Sequence, residues 1–116
     1  VKVEPVLAKL NELRKDTQGE EGPEERAVYH GFIFISYEMG AFTGFVERGE
    51  APSDKKGTAA GEAAQEMLAT LEELRGEVSD DEENMEFIAL DRAVSFISGA
   101  LGDFQHYLNE AGEEAS

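Results

Sequence analysis

Cysteine is absent from the 116 residues, which excludes disulfides, thiolate metal sites and cysteine nucleophiles. Positive charge is scarce. Ten Lys and Arg face 26 Asp and Glu, leaving a formal net charge of −16 at pH 7. A nucleic-acid binder needs a basic face to neutralise phosphates, and an anionic membrane surface demands the same, so both partners are disfavoured. No apolar run approaches the roughly 18–20 residues of a membrane span. No basic start followed by an apolar stretch marks a secretory signal. The expectation is a cytoplasmic chain folded as a single domain over residues 1–116.

What is present is helical periodicity. Val6, Leu7, Leu10 and Leu13 mark a first helix from Pro5 to Lys15, with Pro5 near its start, where a missing N–H costs nothing. Glycines and Pro23 punctuate the break that follows. Val28, Phe32, Ile35, Met39, Phe42 and Val46 then alternate three and four apart, predicting one long helix over Glu24 to Glu47. A third helix is expected within Ser53 to Arg75, stopped by Gly76. Ser79 and Glu82 form a capping-box pattern opening a fourth, whose apolar rhythm runs from Phe87 to Leu108. Residues 110–116 read as a frayed tail.

The chain also repeats itself. Leu7, Ala8, Leu10, Glu12, Leu13 and Arg14 recur as Leu68, Ala69, Leu71, Glu73, Leu74 and Arg75. Phe34, Ile35, Ser36, Gly40 and Phe42 recur as Phe96, Ile97, Ser98, Gly102 and Phe104, at an offset longer by a single residue. Two blocks in the same order predict a duplicated hairpin, residues about 5–47 and 55–109. The predicted fold is therefore all-α, a four-helix bundle of two tandem hairpins with pseudo-twofold symmetry. Ser36, Gly40, Ser98 and Gly102 would let the two long helices approach closely at their crossing. Phe34, Phe45, Phe96 and Tyr107 form a second apolar stripe. They either pack under the shorter helices or offer anchors to a protein partner or a second copy of the chain.

Groups for chemistry are few. Asp103 and His106 stand three apart, as in half of a bundle metal motif, but the matching position in the first repeat is Gly44. Arg26 and His30 share a helical face, an arrangement seen in helical ribonucleases. No second catalytic group accompanies them, and an anionic surface repels RNA. No catalytic residue, cofactor or metal site is expected. The function expected instead is a non-enzymatic protein-binding module, an adaptor, inhibitor or immunity-type factor engaging a basic partner. The alternatives are a ligand or metal carrier using the bundle interior, or charge that serves solubility alone.

Overall fold

The computed structural model describes residues 1–113, which form six α-helices: α1 (Val3–Thr17), α2 (Pro23–Tyr37), α3 (Met39–Arg48), α4 (Glu62–Glu77), α5 (Met85–Gly99) and α6 (Leu101–Glu110). The fold is all-α, but the expected four-helix bundle of two hairpins is not formed. Each predicted long helix is two helices. The first breaks at Glu38 (φ −110°, ψ 36°) and the second at Ala100 (φ −127°, ψ 40°). At each break one N–H is shared between two carbonyls, and the same residue's carbonyl opens the next helix by accepting from Phe42 or Phe104.

The breaks follow from where the phenylalanines must go. Along an unbroken helix Phe42 would be rotated about 80° from Phe34, because eight residues are not a whole number of turns. Resetting the backbone at one residue turns Phe42 and Phe104 into the same interior as Phe34 and Phe96. All four are buried. Phe34 meets Phe104 at 5.1 Å between ring centroids, and Phe42 meets Phe96 edge-on at 5.2 Å.

α1 packs against both α2 and α5, and α4 packs against the same two helices. The core lies among these four, with α3 packed against α1, α2 and α5, and α6 against α4, α2 and α5. The buried positions repeat along the chain: Ala27 with Ala89, Val28 with Leu90, Ile35 with Ile97, Val46 with Leu108. The repeating element thus has three helices rather than the two of a hairpin. No described helix is long and apolar enough to cross a membrane.

Residues 49–61 have no regular structure, so the helix expected within Ser53 to Arg75 begins only at Glu62. Gly49, in the left-handed region at φ 70°, ends α3, as a residue without a Cβ does most cheaply. The linker that follows is bound to α6. Asp103, only 3% exposed, accepts from the backbone N–H groups of Lys55 and Lys56 at 2.9 and 2.8 Å. Asp54 returns the bond by accepting from the Asp103 N–H, satisfying a free donor at the start of α6. Buried Gln105 accepts from the amides of Gly61 and Ala64, which fixes where α4 begins. These bonds compete with helix formation across Asp54 to Gly61 and win, because they are made in the interior where an unmade bond is expensive.

The other helix ends were also placed differently in the sequence reading. α5 starts at Met85, capped by Asn84, whose side-chain oxygen accepts from Glu86 N–H at 3.2 Å, and not at Ser79. Gly76 lies inside α4 rather than beyond it. Residues 111–113 fold back onto α6, with the Glu113 N–H donating to the Leu108 carbonyl at 2.8 Å. The remaining three residues of the expected frayed tail, 114–116, lie outside the described residues.

The small residues behave unequally. Ser36, Gly40 and Ser98 are exposed, and Gly102 is buried against the linker rather than against another long helix. A Cβ at Gly102 would collide with the Thr58 carbonyl, whereas one at Gly40 meets nothing within 4 Å. The glycine that does sit between helices is Gly31, where a Cβ would lie 3.3 Å from Leu71 and 3.5 Å from Ile97.

Two stability predictions follow from this packing. Gly102→Ala should lower stability by about 1–3 kcal/mol through overpacking, while Gly40→Ala should be neutral or gain up to about 1 kcal/mol from better helix propensity. Urea unfolding of the two variants compares them directly; equal effects would contradict the described packing. Asp103→Ala leaves two linker amides without an acceptor and should cost about 2–4 kcal/mol. Limited proteolysis should then cut first within residues 49–61.

Candidate functional site

The polar residues of greatest interest lie where α2 meets the end of α6. Three turns of α2 carry Arg26, Tyr29, His30, Ile33 and Tyr37. Spacings of three and four put Tyr29, Ile33 and Tyr37 along one stripe, with Arg26 and His30 beside it. Tyr107 projects from α6 against this row. Its ring lies 5.7 Å from His30 and 5.9 Å from Tyr37, centroid to centroid.

His30 is 7% exposed and both ring nitrogens are engaged. Nδ1 is 2.8 Å from the Tyr107 hydroxyl, and Nε2 is 3.0 Å from Glu113 Oε1. The other Glu113 oxygen accepts from Arg26 Nη2 at 2.7 Å. Burial, then the neighbouring Tyr29 and Tyr37, and then Glu113, raise the Tyr107 hydroxyl well above the ordinary phenol value. The phenol therefore stays protonated, and its hydroxyl pairs with Nδ1. The Glu113 carboxylate only accepts, so Nε2 donates the proton of the other bond.

Burial acts to raise the Glu113 carboxyl, but hydrogen bonds from His30 and Arg26 and the Arg26 charge outweigh it, and the net shift is downward. The carboxylate thus joins α2 to the end of α6, bridging the Arg26 and His30 that the sequence had put on one face. Sequence spacing could not supply this third group, because Glu113 lies in the segment read as frayed.

Two hollows flank the Tyr37–Tyr107 pair. One, of about 660 Å³, is lined by Arg14, Arg26, Tyr29, His30 and Glu113 among others. The other, of about 460 Å³, is lined by Glu38, Lys56, His106 and Glu110 around the tyrosines. Tyr37 is 75% exposed, the most exposed of the large apolar or aromatic side chains, and Tyr29 and Met39 are exposed beside it.

Of the four anchors expected from sequence, Phe34 and Phe96 are core residues and present no surface. Phe45 and Tyr107 are partly buried and pack against that core. Tyr29 and Tyr37 fall off the main apolar seam, which hides them from a reading by periodicity and also lets them reach solvent. The Asp103–His106 pair is used inside the fold. Asp103 holds the linker amides, and His106 faces Thr58 Oγ1 at 3.3 Å and Glu110. Among the described residues no group of three or more His, Asp or Glu is arranged to hold a metal ion.

Residues 1–111 match the family model described as vWA-MoxR associated protein middle region (VMAP-M) 5. The chain belongs to this VMAP-M5 family. No curated protein and no solved structure matches the chain. The VMAP-M5 match runs through all six helices and reaches the residue just after α6, so it takes in both sides of the tyrosine cleft except Glu113.

The Glu113 bridge gives a pH prediction. A carboxyl lowered in the folded state stabilises above its unfolded value and loses that contribution as pH falls through the lowered value. Wild type should therefore exceed Glu113→Gln by about 1 kcal/mol at neutral pH, a figure kept small because the side chain is partly solvated. The gap should hold down to about pH 4.3, the ordinary glutamate value, and close below it. Thermal melts of both proteins across pH 3–7 measure the gap; a difference unaffected by acid would remove the ionic bridge from the account.

Proposed function

We propose that this VMAP-M5 region is a non-enzymatic protein-binding module whose acidic surface engages a basic partner protein in the cytoplasm. The observation that carries the reading is the net charge of −16 on a single small domain, twice the upper end of the roughly 2–8 charges that solubility asks of one. Charges spread over the surface of six helices create a broad negative potential that accelerates encounter with a basic surface. The exposed Tyr29 and Tyr37 add the apolar contact that charge alone does not supply, since aromatic side chains commonly anchor interfaces.

Capture from native extract at low salt, followed by salt elution, would supply a partner for kinetics. Its association rate with the chain should fall at least about tenfold between low and physiological ionic strength, while dissociation changes much less. Stopped-flow mixing at several salt concentrations separates the two rates. A salt-independent association rate would mean that the acidic surface serves solubility only.

A further inference from the structure

All three tyrosines of the chain, Tyr29, Tyr37 and Tyr107, gather at one cleft, and the sequence contains no tryptophan. The Tyr107 hydroxyl is close enough to the other two phenols for them to raise its pKa. Tyr37 and Tyr107 form a tilted pair, their planes at 55°, with one side of Tyr37 facing solvent.

The two hollows beside this pair differ in charge. In the larger one, Arg14 and Arg26 oppose Glu25 and Glu113, so cations and anions balance. In the smaller one, the three carboxylates Glu38, Asp103 and Glu110 outnumber the basic Lys56 and His106. Asp103 is occupied by linker amides and one oxygen of the largely exposed Glu110 pairs with His106, while Glu38 also lines the hollow beside Tyr37. An aromatic wall beside carboxylates attracts a flat cation. A guanidinium stacks on a phenol ring and offers a fork of donors to a carboxylate at once, which an ammonium cannot do.

Resting on the reading of an acid-surfaced binding module, we propose that the hollow between Tyr37, Tyr107, Glu38 and Glu110 is the docking site for an arginine side chain of the partner protein. The general negative potential brings the partner in, and this groove fixes one of its side chains. The volume of about 460 Å³ accommodates a guanidinium with its aliphatic stem and part of the flanking backbone.

Because two of the three tyrosines of the chain, Tyr37 and Tyr107, line this hollow, intrinsic tyrosine emission reports on it without a label. The probe is a terminally blocked glycine–arginine peptide carrying a remote fluorophore, compared with its citrulline counterpart, which keeps the shape and loses the charge. At low salt the arginine peptide should bind with a saturable change in tyrosine emission, and the citrulline peptide should not. By anisotropy, Tyr37→Ala should weaken binding about fivefold or more, and Glu38→Gln about threefold. Tyr37 is exposed, so the variant should keep its helical circular dichroism and remain a valid test.

Equal binding of the citrulline peptide would overturn the proposal, as would unchanged affinity in both variants. Arginine binding that is salt-sensitive but indifferent to Tyr37 and Glu38 would reject the groove and leave the acid-surfaced module standing. No binding of the arginine peptide at low salt would also reject the groove. The module reading fails separately, through a salt-independent association rate with the captured partner.

Discussion

Phe34, Phe42, Phe96 and Phe104 share one interior, and the backbone must break at Glu38 and Ala100 for them to do so. Each ring buries a large apolar surface, and their tilted and edge-to-face contacts add to that burial. Against this, one residue per half leaves helical geometry and a few helical bonds become shared or are lost. The exchange favours the core. Its consequence is that α3 and α6 take directions of their own, α3 packing on α1, α2 and α5 and α6 on α2, α4 and α5, and α6 carries Tyr107 to α2.

The second consequence concerns the linker. Once α6 has its own N-terminus, it has free N–H groups to satisfy, and Asp54 answers one of them. Asp103 and Gln105 in turn hold Lys55, Lys56, Gly61 and Ala64. Three polar residues are buried: His30, Asp103 and Gln105. Two of them bind the linker to α6. His30, with Tyr107 and Glu113, binds α2 to the end of α6. No buried side-chain nitrogen or oxygen among the described residues is left without a partner.

The internal repeat separates the two kinds of residue. Core positions recur with like residues, such as Phe34 with Phe96 and Ile35 with Ile97. Cleft positions do not. Tyr37 corresponds to Gly99, His30 to Arg92 and Tyr29 to Asp91; only Tyr107, which also packs on the core, has an aromatic counterpart, Phe45. Packing constrains both halves alike because both face one interior, whereas the surface of each half answers to different contacts. The cleft therefore exists on one side of the molecule only.

The sequence by itself determined that the chain is helical, where most apolar side chains point, and that the two halves resemble each other. These are local or periodic properties, written in spacings of three and four. It did not show the breaks, because Glu38 and Ala100 are ordinary helix formers and a single displaced residue leaves the apolar rhythm intact. Nor did it show the cleft. Tyr37 and Tyr107, or His30 and Glu113, are brought together from distant parts of the chain, and only the turn of α6 across α2 decides that they meet. Periodicity records which face of a helix is buried; which helix it is buried against is settled by the packing of the whole.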